Sequence, residues 1–370
     1  MDTIYLVVPY SPESIVSHRA RRLTKDLIGD YTLRWFFKSK QGWRRWIEIA
    51  REIRTTRPKL IYAFKPDKWA FFAFLLGRMI GAKRMLDTGD VRVALARARG
   101  AGFWACWTEH LFEVGIGRWA NAITVRGTEH RRYLESRGYR NVFVIPDGVD
   151  PSHSRYRCDP ALRRKIVGDR EVVTVGVMGT ANWSRKREMC YGWELVEVLA
   201  LLKDLPLFGI MIGDGSGLSH LKRRADACGV RDRIAFVGRI PYEEVPRYVS
   251  LMDIALSTQT NDLVGQVRTT GKLPEYLACA RYILASRVGE AKFVLPEEML
   301  VPYYGAKRDD TYPERLTQRI RLLVRHRERL KRGRFGPPLV AGRFDYQVLS
   351  RKVRRIVERV LGGNDAPISA

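Results

Sequence analysis

TTGKLPEYLACARYILAS, residues Thr269–Ser286, sets three structural signals end to end. A Thr-Thr-Gly turn leads into a helix whose first turn carries Lys272 and Glu275, and the apolar β-rich run YILAS follows almost at once. A helix delivered straight into a buried strand is the repeating unit of a parallel sheet with helices on its faces. The same unit recurs outward from this stretch. Upstream, VVTVGVMGT (Val172–Thr180), LFGIMIGDG (Leu207–Gly215), IAFVGRI (Ile234–Ile240) and DIALSTQ (Asp253–Gln259) read as strands, which gives a doubly wound α/β domain over residues 170–335. Earlier still, IYLVVPY (Ile4–Tyr10), KLIYAF (Lys59–Phe64), RMLDTGD (Arg84–Asp90), AITV (Ala122–Val125) and VFVIP (Val142–Pro146) alternate with helical patterns at 17–27, 44–55, 69–80 and 129–137. They predict a first domain of the same kind over residues 1–160. A Pro-, Gly- and charge-rich connection, Pro146–Glu171, joins the two. After Pro337-Pro338, the spacing of Tyr346, Leu349, Val353, Ile356, Val357 and Val360 predicts an amphipathic helix over 345–362 that crosses back to the first domain. Ligands of open α/β sheets bind outside the carboxyl ends of the strands, so the chemistry is expected there, in a cleft between the domains.

Composition agrees with two globular domains. The chain has 370 residues, 45% of them apolar, 11% aromatic and 29% charged. That balance is unlike a disordered chain. The most apolar stretch, WAFFAFLLGRMIGA (Trp69–Ala82), is too short for a bilayer core and carries Arg78. The five cysteines never come closer than 32 residues, which fits neither a zinc knuckle nor a disulfide framework. MDTIYLVVPY lacks the basic, apolar and small-residue regions of a signal peptide, so residence in the cytoplasm is expected. The 66 Lys and Arg against 40 Asp and Glu leave a net charge of +26, which calls for an anionic partner.

Four motifs carry chemistry. In VGVMGTANWSRKRE (Val175–Glu188) a strand ends in Gly179 and runs on to Arg185, Lys186 and Arg187 before a helix, an arrangement suited to gripping a diphosphate. In a chain this basic it could equally be a solvated loop. IGDGSG puts Asp214 between Gly213 and Gly215 at a strand end, where backbone can approach a ligand or simply turn. FVGRIPYEEVPRYV repeats the device with Gly238 and Arg239. Glu275, at a helix start, is placed to accept both hydroxyls of a ribose, though a helix-dipole carboxylate looks the same.

Taken in order, these motifs resemble the donor domain of GT-B fold glycosyltransferases, specifically the retaining family 4. The matching run is MGTANW with Lys186, then IGDGSGLSHLKRRA, IAFVGRIPYEEVPRYVSLMDIALST, KLPEYLACARYILAS and VGEAKFVL; in the first domain, ANAITVRGTEHRRYLESRGYRNVFVIPDGVD is similar to the family's stretch before the linker. The likeness covers most of residues 120–295 and implies an α/β GT-B fold of two Rossmann-like domains facing a cleft. It also implies a hexosyltransferase that moves a sugar from a nucleotide-sugar to a glycan or lipid-linked acceptor in polysaccharide or glycolipid assembly.

Carried over residue by residue, the resemblance makes Arg185 or Lys186 the cation on the donor diphosphate, with Lys186 counted as catalytic beside Asp90. Glu275 becomes the ribose ligand. Gly179, Gly213, Asp214, Gly215, Arg239 and Ile240 line the nucleotide. Thr270, Gly271 and Lys272 face the phosphates or sugar. LDTGD favours Asp90 over Asp87 near the reacting sugar, and Ser17, His18 and Arg19 occupy the acceptor loop. Two positions depart from the family. Val267 stands where the first of two signature glutamates is usual, and Asp147 stands where Asn precedes Gly148.

The adjacent acids Asp309-Asp310 read as helix capping rather than a metal site, so neither metal nor cofactor is expected. No covalent nucleophile stands out, in keeping with a front-face reaction. Two other functions compete: nucleic-acid binding, prompted by Trp35, Trp43 and Trp46 amid basic residues from Arg34 to Arg54, and a homologue that binds nucleotide without catalysis, prompted by Val267. No nucleic-acid-binding signature supports the first. The basic run Arg315–Arg334, with the segment Arg34–Arg54, instead suggests peripheral attachment to an anionic membrane at the inner face of the cell membrane.

Overall fold

A computed structural model describes residues 1–38 and 42–362. Contacts divide the chain into two units. The first contains Met1–Gly148, Val267–Thr269 and the segment from Tyr346 onward; the second contains Val149–Gln266 and Thr270–Asp345. Residues 149–160 thus group with the second unit, not with the first domain as the sequence suggested. Their contacts explain it: the Val149 N–H donates to Phe344 O at 2.8 Å, and the Asp159 carboxylate meets Arg247 at 2.6 Å.

In the first unit, strands β1 (Asp2–Val8), β2 (Tyr31–Phe37), β3 (Leu60–Phe64), β4 (Lys83–Thr88), β5 (Ala122–Val125) and β6 (Val142–Val144) form one parallel sheet in the order β2-β1-β3-β4-β5-β6. Ile4–Val8 and Leu60–Phe64 are buried along their whole length, as unbroken apolar runs in a parallel sheet must be. Helices α1 (Ile15–Leu23), α2 (Arg44–Thr56), α3 (Lys68–Met79), α4 (Arg92–Ala98), α5 (Phe103–Trp119) and α6 (Thr128–Glu135) connect the strands. The Ser14 hydroxyl caps α1 at Ser17 N, and the Asp67 carboxylate caps α3 at Trp69 N and Ala70 N. The helix Tyr346–Gly362 belongs to this unit. Its Leu349, Val353, Ile356 and Val357 share a core with Leu23 and Leu27, and the Ser350 hydroxyl donates to Asp26 at 2.8 Å.

Strand β2 and helix α5 have no counterpart in the sequence reading. The strand lies on the sheet edge, and the helix is apolar on most of its sides. The basic aromatic segment Arg34–Arg54 therefore has its first residues in an edge strand and its last in α2, while 39–41 lie outside the described residues. Trp35 packs on one face of the sheet with Leu23 and Leu27, whereas Trp46 packs on the other and stacks on Trp69 at 4.2 Å.

The second unit repeats the plan with β7 (Val173–Met178), β8 (Leu207–Ile212), β9 (Ile234–Gly238), β10 (Ile254–Ser257), β11 (Tyr282–Ser286) and β12 (Leu300–Val301), all parallel in the order β12-β11-β10-β7-β8-β9. Helices α7 (Pro160–Val167), α8 (Trp193–Leu201) and α9 (Leu218–Ala227) lie along its first half. The order jumps from β7 to β10 on one side and to β8 on the other, the switch point at which such sheets place ligands. No helix of the described residues is long and apolar enough to cross a membrane.

Candidate functional site

At the carboxyl edge of the second sheet, three strand ends are tied to one another through backbone. Gly179 N–H donates to Ile212 O at 2.9 Å, Gly213 N–H to Gly238 O at 2.8 Å, and Ala181 N–H to Asp214 O at 3.0 Å. Gly213 has φ +123, and a Cβ there would lie 2.0 Å from Gly179 O. Gly215, at φ +153, would bring a Cβ within 2.6 Å of Ala181. Gly213 and Gly215 of IGDGSG are therefore required by one loop lying on another, which by itself accounts for glycine at both positions. Gly179 itself, at φ +144, faces open space. Asp214 is exposed and accepts from its neighbour Gly215 N at 2.7 Å; Arg239 is exposed and Ile240 half-buried against the core.

Arg185, Lys186 and Arg187 do not sit at a helix start. They occupy a turn closed by a bridge between Ser184 and Met189, and α8 begins only at Trp193. Arg187 pairs with Asp262 at 2.7 Å, while Arg185 and Lys186 are exposed. The helix that does begin at the sheet edge is Lys272–Ala278. Its Glu275 is 6% exposed, and Oε1 accepts from the Tyr242 hydroxyl at 3.0 Å. One residue on, the Tyr276 hydroxyl accepts Met178 N–H at 2.7 Å, which locks this helix to the end of β7. Thr270 and Gly271 precede the helix, and a Cβ added at Gly271 would meet nothing within 4 Å. Burial lowers the pKa of Lys272, against the opposing charge of Glu194, and its Nζ lies 5.4 Å from the Tyr191 ring. Glu194 is fully buried at the start of α8, with Oε2 accepting Gly192 N–H at 3.0 Å. The sequence reading missed both Tyr242 and Glu194; nothing local in either stretch names a partner so distant in the chain.

In the first unit, Arg19 is not available to an acceptor. It is 2% exposed and donates to Asp87 Oδ2 (2.9 Å), Ile145 O (2.7 Å), Pro146 O (2.7 Å) and Asp147 Oδ1 (3.2 Å). Ser17 is likewise buried, its hydroxyl donating to Ser11 O at 2.6 Å; of the three residues read as acceptor contacts, only His18 is exposed.

Asp90 pairs with Arg268 at 2.7 Å, and Arg268 comes from Val267–Thr269, the short piece of later sequence that belongs to this unit. Burial pushes the Asp90 carboxyl up, but Arg268 and Arg126 outweigh it and hold the group below its ordinary value. Asp90 lines a cavity of about 40 Å³ with Tyr10, Lys65, Arg92 and Arg126. Lys65 has φ +137, a strained value for a residue with a side chain, and burial with Arg92 lowers its pKa. His130 is fully buried, and neither ring nitrogen has a hydrogen-bond partner among the described residues. Burial pushes it down to about 4 despite the nearby Asp90.

Among the described residues no three His, Cys, Asp or Glu side chains cluster as a metal site. Asp309 accepts Tyr304 N–H at 2.8 Å and Thr311 N–H at 3.2 Å and pairs with Arg315 at the start of the helix Tyr312–Arg325.

Residues 171–326 match the family model described as Glycosyl transferases group 1. No curated protein sequence matches the chain. Solved structures with the same fold include the UDP-glucose complex of Anabaena Alr3699/HepE (14% identity, 96% of this chain and 99% of that one, TM-score 0.74). They also include sucrose-phosphate synthase from Thermosynechococcus elongatus (16% identity, 98% and 100%, TM-score 0.75). A third is WaaG, a glycosyltransferase involved in lipopolysaccharide biosynthesis (13% identity, 96% and 99%, TM-score 0.66). Residues 171–326 are thus similar to the glycosyl transferases group 1, and the chain has the two-sheet α/β fold of the GT-B glycosyltransferase structures.

Proposed function

We propose that the protein transfers a hexosyl group from a nucleotide-sugar to a glycan or lipid-linked acceptor, with retention of configuration and without a metal, at the cytoplasmic face of a membrane. The observation that carries this reading is Glu275. A carboxylate 6% exposed, fixed by the Tyr242 hydroxyl on the first turn of a helix at the sheet's carboxyl edge, is preorganised to accept the two hydroxyls of a ribose. It lies within the residues that match the family model, and the Anabaena relative was crystallised with UDP-glucose.

The leaving diphosphate gathers negative charge as the glycosidic bond breaks. Arg185 and Lys186 on their exposed turn, with Lys272 beside Glu275, supply the cations for it, and fixed charge in a partly dry site counts for more than in water. Asp90, held ionised by Arg268 and Arg126, orients the acceptor hydroxyl and helps take up its proton. Lipid-linked acceptors and lipopolysaccharide-type glycans fit the net charge of +26 and the relative WaaG.

Isothermal titration with UDP-, GDP- and ADP-sugars, and with an RNA oligomer as contrast, tests the donor site. One nucleotide-sugar binds, and Glu275→Ala and Lys186→Ala each weaken it by roughly tenfold or more. An oligonucleotide response without any nucleotide response overturns the reading. Asp90→Asn keeps donor binding and loses most turnover; wild-type turnover in that variant removes Asp90 from the mechanism. A second reading, a nucleotide-binding homologue without catalysis, is favoured by Val267. That residue is 1% exposed where the resembling family carries a carboxylate, and turnover of the bound donor decides between the two.

A further inference from the structure

We propose that the outward stripe of α5, formed by Phe103, Trp104, Trp107 and Leu111, is the surface by which the protein rests on an anionic lipid bilayer. The inference rests on the reading that this enzyme works at a membrane, and names the face that does it.

The four side chains are 74%, 73%, 46% and 46% exposed, and they fall on one side of the helix at spacings of three and four. Phe103 and Trp104 meet edge-on at 5.6 Å, and Trp104 and Trp107 at 6.1 Å, so they form one aromatic patch. The other sides of α5 are already used. Ile116 and Gly117 are buried, and Phe112 packs on Phe71 of α3 at 5.7 Å. A soluble helix that is apolar on most sides is normally enclosed; this one leaves two indoles and a phenyl ring open to solvent.

Charge selects the occupant. Both acids of α5 turn inward to α4: Glu109 holds the Arg92 guanidinium, with Nε at 2.9 Å, and Glu113 accepts Arg92 N–H at 3.2 Å and Val93 N–H at 3.3 Å. The stripe is thereby left without a carboxylate of its own, while Arg97 of α4, Arg99 just after it and Arg118 of α5 are exposed. Indole rings favour the headgroup level of a bilayer, and basic side chains beside them are drawn to anionic lipid. A second copy of the chain is a poor occupant, because each copy carries +26. With seventeen residues that include Glu109, Glu113 and Arg118, α5 is not long and apolar enough to cross a bilayer, so the contact is with the interface.

The position suits the proposed chemistry. The helix α4 begins two residues after Asp90, so the α4–α5 pair is rooted at the carboxylate assigned to the acceptor. The sequence placed membrane contact on Arg315–Arg334 together with Arg34–Arg54; in the first of these, arginines 315, 321 and 332 are engaged with Asp309, Asp204 and Glu298.

Sedimentation with vesicles of phosphatidylcholine, or of phosphatidylcholine mixed with phosphatidylglycerol, tests the proposal. Wild-type protein is expected to sediment with the mixed vesicles, and Trp104→Ser/Trp107→Ser to lose that affinity by about tenfold or more while melting like wild type. Arg327→Ala/Arg329→Ala, in the second unit, is expected to bind like wild type. Binding by the tryptophan variant equal to wild type overturns the assignment of the face and leaves the membrane reading standing. Absence of vesicle binding by wild type overturns both, and donor binding measured in solution stays an independent test of the transferase. A concentration-dependent dimer abolished by the tryptophan substitutions would give the stripe to a second copy and sink the proposal.

Discussion

The Arg19 guanidinium and the Asp87 carboxylate meet at 2.9 Å with 2% of each side chain exposed, and Arg19 reaches on to Ile145 O, Pro146 O and Asp147. One buried cation thus joins α1, the end of β4 and the loop after β6. Truncating one partner of such a pair strands the other charge in the core. Arg19→Ala should destabilise the first unit by about 3–5 kcal/mol, and Arg19→Met/Asp87→Leu by clearly less. Guanidinium unfolding followed by tryptophan fluorescence measures both; equal losses would show that the pair does not act as a unit.

Arg268 should set the acid limb of activity. The Asp90 carboxylate is held below its ordinary value because Arg268 and Arg126 overcome its burial, so the ionised form persists above that lowered pKa and is lost only as the pH falls through it. Arg268→Ala leaves the burial and removes the nearer cation, so the pKa rises. The low-pH limb of kcat should move to higher pH in the variant, with the alkaline side unchanged. An unmoved limb would dissociate Asp90 from the rate.

His130 makes the first unit acid-labile. Its folded pKa is pushed down to about 4, below that of an unfolded histidine near 6.5, so the unfolded chain binds more protons between those values. Stability should be full above about pH 6.5 and fall by about 3 kcal/mol as the pH drops toward 4. His130→Leu should flatten that part of the profile, as read from denaturation midpoints across the range.

Gly213 and Gly271 should respond in opposite ways. An alanine at Gly213 would place Cβ 2.0 Å from Gly179 O at φ +123, whereas Gly271 has an ordinary φ of −56 and open space beside it. Gly213→Ala should cost the second unit about 2 kcal/mol or more in stability. Gly271→Ala should melt like wild type and lose nucleotide-sugar affinity. Thermal unfolding and titration on the same samples separate the two effects, and unaltered affinity at Gly271→Ala would remove that turn from the donor contacts.

The sheets were legible because their strands are short unbroken apolar runs: LIYAF and YILAS can hardly be anything but buried β-structure. Strand β2 was not, because YTLRWFF mixes a charge and a hydroxyl into an edge that keeps one side wet. The helix α5 was hidden for the opposite reason. Apolar on most of its sides, it offers no clean stripe at helical period for a sequence pattern to find. Glycines announced the turns at Gly179 and Gly213, yet sequence cannot say whether a tight turn approaches a ligand or a neighbouring loop. Arg19 shows the same limit from the polar side, since its partners lie 68 and 128 residues away and nothing beside it distinguishes a core cation from a surface one.

The helix Tyr346–Gly362 gives the covalent order a consequence of its own. Because it completes the core built by the first 148 residues, the second unit is topologically an insert between Gly148 and Tyr346, interrupted once where Val267–Thr269 returns to the first unit. A single protease nick in either connection frees neither half intact, and expression of residues 1–148 alone exposes the apolar seat of Leu349, Val353 and Ile356. A circular permutant that places this helix before β1 would make the first unit continuous but for Val267–Thr269, so that its core could form before the second unit is synthesised.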